Sequence, residues 1–227
     1  MPSRFIPLVN NEFYHVLNRG TGQMQIFNQN RDYQRFFKTM LYYRIQGPKP
    51  RFSLFSPENT HLDQNRKIVE IICYCLMPNH FHLLLQQKID GGITEFISKL
   101  SNSYTKYFNT KNRRSGPLLQ GEFKAIHVET DEQLIHLSRY IHLNPLVSYI
   151  TKSLEQYTWS SFSEYTKEKK SNFLSTDIIL DQFKSTSDYQ KFVKDQEGYG
   201  KKLEAIKHQL LDYSYPRVQA PITPGVK

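Results

Sequence analysis

The chain is poor in cysteine: Cys73 and Cys75 are the only two among 227 residues. Both fall inside one predicted strand. Side chains two apart there point the same way, but the extended backbone makes a bridge between them awkward, so they read as buried thiols. No CxxC spacing occurs, which removes the thiolate zinc modules. No apolar run approaches the roughly 20 residues of a membrane span, and "MPSRFIPLVN" lacks the apolar core of a secretory signal, so no membrane partner is expected and the cytosol is the expected compartment. A GxxxxGK[ST] loop is missing, which argues against a P-loop nucleotide site, and there is no internal repeat.

What the chain has in excess is positive charge and aromatic rings. Thirty Lys and Arg against 21 Asp and Glu give a formal charge of +9, an imbalance that makes a polyanion, and nucleic acid first, the expected partner. Fifteen Tyr and 15 Phe contribute to 14% aromatics. Core packing accounts for the larger share of these and stacking on unpaired bases for a smaller one. With 38% hydrophobic residues the chain can build one sizeable domain and an appendage.

"NEFYHVLNRG", residues 11 to 20, predicts a first strand that stops at Gly20. "RDYQRFFKTMLYYRIQG" spaces Phe36, Phe37, Met40, Leu41 and Ile45 as a helix does, between caps at Asp32 and Gly47. "KIVEIICYCLMPNHFHLLLQQ" predicts two strands, about 68 to 76 and 80 to 87, around a tight turn at Met77, Pro78 and Asn79. A long helix follows, with Phe96, Ile97, Leu100, Tyr104, Tyr107 and Phe108 on one stripe. "EFKAIHVET" is a fourth strand, and "DEQLIHLSRYIHLNP" a helix that Pro145 closes. This order is the split βαβ pattern, so the expected fold is α+β and ferredoxin-like: an antiparallel sheet with helices on one face, plus a C-terminal helical extension. The expected limits are 1–166 for the sheet domain, 167–213 for the extension, with helical patterns at 176–182, 187–195 and 200–212, and 214–227 for a loose tail.

Two stretches carry chemistry. In "MPNHFHLLLQ", residues 77 to 86, His80 and His82 project from one side of a strand while Phe81, Leu83 and Leu85 face the core. Such a pair suits a metal ion, and it also suits the solvated face of a sheet. In "RYIHLNP", residues 139 to 145, Tyr140 and Asn144 share a helix face with His136, beside Leu134, Leu137 and Ile141. Read alone, the phenol flanks the core and Asn144 caps the helix before a proline.

Together these stretches resemble the single-tyrosine HUH transposases. "MPNHFHLLLQ" is similar to their His-hydrophobic-His motif. "YHVLNRG" (14–20), "SYTKYFN" (103–109), "RYIHLNP" and "YTWSSFSEY" (157–165) resemble the companion blocks of the REP-associated tyrosine transposase branch, in order from about residue 12 to 165. The resemblance implies that 1–166 is an HUH transposase domain, that Tyr140 is the catalytic nucleophile, and that His80, His82 and Asn144 hold Mg²⁺ or Mn²⁺. "GPLLQGEFKAIHV" departs from the pattern, with Leu119 where an aromatic and Glu122 where a basic residue is expected.

The implied activity is metal-dependent nicking and strand transfer of single-stranded or hairpin DNA through a 5′-phosphotyrosine, by a transposase or a domesticated relative that associates with the nucleoid when bound. A phenol of pKa near 10 is ionised about one part in a thousand at pH 7, a cost of about 4 kcal/mol that the metal and Arg139 or Lys124 would offset. Arg19, Lys106, Arg113, Arg114 and Lys124 are the candidate DNA-binding positions. His15 and His142 read as structural or orienting, and Tyr104 and Tyr107 as core. A homodimer is within the range that the resemblance implies. The alternative is a non-catalytic, ferredoxin-like single-strand binder whose histidines only line a groove.

Overall fold

The structure, a computed structural model, describes residues 7–58, 62–167 and 173–196. Strand β1 (Phe13–Arg19) turns Tyr14, Val16 and Asn18 to one face and His15, Leu17 and Arg19 to the other. Helix α1 (Asn30–Tyr43) starts from a capping box in which Gln29 and Asp32 bond each other's backbone. Asp32 is therefore the third helical residue and not the cap. The helix ends at Tyr43 because Ile45 is drawn into a bridge with Lys67.

Strands β2 (Val69–Met77) and β3 (His80–Gln87) flank the two-residue turn Pro78–Asn79, with Met77 opposite His80. Helix α2 (Gly92–Lys111) leads to β4 (Lys124–Val128). The sheet order is β2-β3-β1-β4 with every pair antiparallel, as the split βαβ pattern requires. Phe36 and Met40 of α1 and Phe96, Leu100 and Tyr104 of α2 pack on Val16, Phe81 and Leu83, forming the first core.

The α+β class and the sheet are as expected, but the helical cover is not one-sided. Helix α3 (Asp131–Val147), joined by α4 (Phe162–Thr166), α5 (Asp177–Leu180) and α6 (Thr186–Lys194), builds a second core against the opposite face. The reason lies in β2, where Ile72, Cys73, Cys75 and Met77 present apolar groups to that face while Ile71, Tyr74 and Leu76 serve the first core. A strand apolar on both sides needs cover on both. Leu134, Ile141, Leu143 and Leu146 of α3 supply it.

Pro145 does not close α3. It lies buried in the last turn, and the helix runs on until the Ser148 N–H bonds the Asn144 carbonyl at 3.0 Å. Only one hydrogen bond near the end is forfeited, so the proline is tolerated. Asn144 is thus a last-turn residue, and Ser148 is the cap. The "YTWSSFSEY" block extends the edge of β2: the Trp159 carbonyl accepts from Leu76 N–H at 2.9 Å, and Ser161 N–H donates to the Tyr74 carbonyl at 3.0 Å. The helix expected at 200–212 and the tail at 214–227 lie outside the described residues. Among the described residues no helix is long and apolar enough to cross a membrane.

Candidate active site

Register decides which side chains meet. On the α3 face of the sheet, His80 of β3 stands opposite Arg19 of β1, and His82 opposite Leu17. His15 stands opposite Leu84, two residues from His82, so the two histidines are diagonal neighbours on one face. Their rings stack with centroids 5.1 Å apart, and His15 Nε2 lies 2.8 Å from His82 Nδ1. The His80 and His82 rings are nearly perpendicular, 4.9 Å apart. His80 Nδ1 is 2.6 Å from Oδ1 of Asn79 in the hairpin turn.

Helix α3 carries Tyr140 over this group, its ring edge-on at 5.6 Å from His82 and 6.1 Å from His15. Tyr140 is 44% exposed, against 4% for His82, so the phenol stands at the mouth of the site and the imidazole at its floor. The start of α3 is fixed by Thr130, whose side chain accepts from Gln133 N–H at 3.1 Å. Asn144 sits one turn beyond Tyr140, its Nδ2 3.4 Å from the Tyr140 carbonyl oxygen.

The hydrogen bonds bear on tautomers. Asn79 Oδ1 can only accept, so His80 carries its proton on Nδ1 and its lone pair on Nε2. If His82 Nδ1–H likewise donates to His15, both members of the pair have their lone pairs on Nε2. A ligating histidine typically has its other nitrogen held in this way. His15 can accept because it is neutral: burial lowers its pKa from 6.5 to about 4. The two imidazoles therefore fit a divalent ion. Among the described residues no group of three or more His, Cys, Asp or Glu is gathered to hold one, so any further ligand comes from elsewhere.

The basic residues separate by face. Arg19 is exposed beside His80, and Lys124, exposed on β4, stands opposite Leu17; with Ile126, 55% exposed, they border an open strip of sheet next to Tyr140. Lys106 lies on α2, across the sheet from the histidines. Arg113 is exposed just past α2, with φ +49°. Arg114 donates to Asn109 Oδ1 at 2.8 Å and to the Pro117 carbonyl at 3.1 Å, bracing its own loop. Arg139 does not serve the phenol: its guanidinium lies over the Phe192 ring of α6, 4.2 Å from the ring centroid, and beside His136 Nδ1 at 2.5 Å.

The rival phenols are tied down. Tyr104 is buried with its hydroxyl on the Ile26 carbonyl, and burial pushes its pKa far up. Tyr107 donates to Asp32 at 2.9 Å; burial, then that carboxylate, push it to about 12. His142 is fully buried, with Nδ1 2.7 Å from Tyr189 Oη and Nε2 2.7 Å from Ser161 Oγ. It docks α3 onto α6 and the β2 edge. Sequence reasoning missed Tyr189 as its partner; the signal was only the four-residue spacing of Tyr189 and Val193 on one helix face.

The family model described as "Transposase IS200 like" matches residues 59–144, a span that holds both β3 histidines, Tyr140 and, as its last residue, Asn144. This segment is similar to the IS200-like transposases. A solved REP-associated tyrosine transposase bound to a REP hairpin is similar in fold to this chain: it is 14% identical, with a TM-score of 0.50 over 72% of this chain and 84% of that one. A transposase of Deinococcus radiodurans R1 is 13% identical with a TM-score of 0.36, over 62% of this chain and 95% of that one. No protein of curated function matches the sequence.

Proposed function

We propose that this IS200-like protein nicks and rejoins single-stranded or hairpin DNA through Tyr140. The observation that carries the reading is an exposed phenol 5.6 Å from His82 within one chain, while the tyrosines of α2 are bonded inward. Tyr140 Oη attacks a backbone phosphorus; as the Oη–P bond forms, the P–O3′ bond breaks, leaving a 5′-phosphotyrosine and a 3′-hydroxyl. The phenolic proton passes to solvent and the departing oxygen takes one up. The reverse reaction with another 3′-hydroxyl restores the backbone without a nucleoside triphosphate.

His80 and His82 are the proposed metal ligands, through Nε2, and Asn144 would join them by turning its amide from the Tyr140 carbonyl. Mg²⁺ or Mn²⁺ bound there would draw charge from the scissile phosphate. Arg19 and Lys124 hold flanking phosphates on the open strip. The relative of like fold is described as bound to a REP hairpin, which supports hairpin DNA as the substrate class.

The test is a labelled hairpin oligonucleotide incubated with Mn²⁺ and resolved on a denaturing gel. Wild type gives a protein-linked band, and Tyr140→Phe gives none while keeping most of its DNA affinity. Cutting without a linked band would assign the attack to water, and binding without cutting would make the protein a single-strand binder.

A further inference from the structure

The strand ends that carry Arg19 and Lys124 have a second side. Asn18 and Phe123, their chain neighbours, face α2. Between them and Ser98, Ser101 and Thr105 of α2 lies a cleft of about 570 Å³ with Glu122 on its rim. This is within the roughly 300–1,000 Å³ range of small-molecule sites. Its walls combine the Phe123 ring and Ile97 with hydroxyls, an arrangement suited to a planar group with a polar edge.

Asn18 is 8% exposed. Its Oδ1 accepts from Arg19 N–H at 2.8 Å, but its Nδ2 reaches only the Gly121 carbonyl at 3.4 Å, too long for a well-formed bond. A buried amide donor held only by this one long bond thus lines the cleft. Glu122 has no ion pair among the described residues. A carboxylate repels phosphate, so the backbone is excluded and a base is admitted. It also only accepts, so it selects a base that donates. Guanine offers N1–H and N2–H side by side to two carboxylate oxygens; adenine and cytosine offer one amino group, and thymine one N–H between two carbonyls.

We propose that this cleft holds one unpaired guanine of the bound DNA, whose neighbouring phosphates run over Arg19 and Lys124, so that Glu122 and Asn18 set sequence preference. The proposal rests on the DNA-processing reading above. Cations position the backbone and the cleft reads the base. The acidic residue that departs from the family pattern is then the one that specifies.

Hairpins whose unpaired flank carries guanine, inosine or adenine at one position in turn are titrated by fluorescence polarisation, and the same oligonucleotides are scored for the Tyr140 adduct with wild type. Wild type should favour guanine over inosine, which lacks the N2 amino group, at one flank position by on the order of tenfold. Glu122→Gln, in an exposed loop, should erase that ratio. Equal affinities for all three flanks, or an undiminished guanine preference in the variant, would overturn the proposal. Base preference without an adduct would sink the nicking reading alone, and failure to bind any hairpin would sink both.

Discussion

His15 and His82 lie 67 residues apart in sequence and 2.8 Å apart in space, and the geometry of the proposed metal ligands depends on that contact. His15→Ala should remove the acceptor that holds the His82 ring and weaken Mn²⁺ binding roughly 10- to 100-fold. His15→Gln, whose side-chain oxygen can accept from Nδ1–H, should recover part of it. Titration followed by electron paramagnetic resonance reads both, and an alanine variant with wild-type affinity would remove His15 from the site. The faces on which His80, His82 and Tyr140 lie were legible in the sequence because each sits in a local motif with a clear period, whereas the roles proposed for them came from the family resemblance. His15 was legible only as structural or orienting, because its partner is set by strand register, which no local pattern contains.

At the level of elements, the position of α3 governs where the phenol stands, and a buried polar chain sets that position. Tyr189 Oη touches both His142 Nδ1, at 2.7 Å, and Ser138 Oγ, at 3.0 Å; Ser161 Oγ, on the other side of His142, accepts from Tyr74 N–H at 2.9 Å. Tyr189→Phe keeps the ring but strands a buried imidazole nitrogen, so it should cost about 1–3 kcal/mol, measured by urea unfolding. A variant as stable as wild type would show that packing alone docks α3. Thr130→Ala, at the exposed start of the same helix, should cost about 1 kcal/mol. β3 was read at its observed limits because a Pro-Asn turn fixes its start. The end of α3 was misread because proline breaks a helix interior but costs only one bond in a last turn. Helices on both faces were foreshadowed by β2, whose apolar residues run without alternation, a pattern that alone does not separate a strand buried twice from a buried helix segment.

For the molecule as a whole, two of the buried histidines, His15 and His142, make stability depend on pH. Burial lowers His15 to about 4 and His142 to about 3, from an ordinary 6.5. The unfolded chain therefore binds these protons before the folded one does, and stability falls as pH drops below about 6.5. The loss levels off only when the folded state also protonates, near pH 4 for His15 and pH 3 for His142. Between pH 7 and pH 5 each should cost about 2 kcal/mol, a large share of a typical 5–15 kcal/mol total. Carboxylates do not confuse this window. Glu155, held at about 2 chiefly by the hydrogen bond from Lys194, makes a contribution that is lost only as pH falls below the ordinary carboxylate range. Urea midpoints at pH 7 and pH 5 test the argument: the midpoint should drop, and His15→Gln should show a smaller drop because one of the two imidazoles held neutral by burial is gone. A midpoint that does not move would mean that the two imidazoles are not held neutral, and with it would go the assignment of His15 as the acceptor for His82.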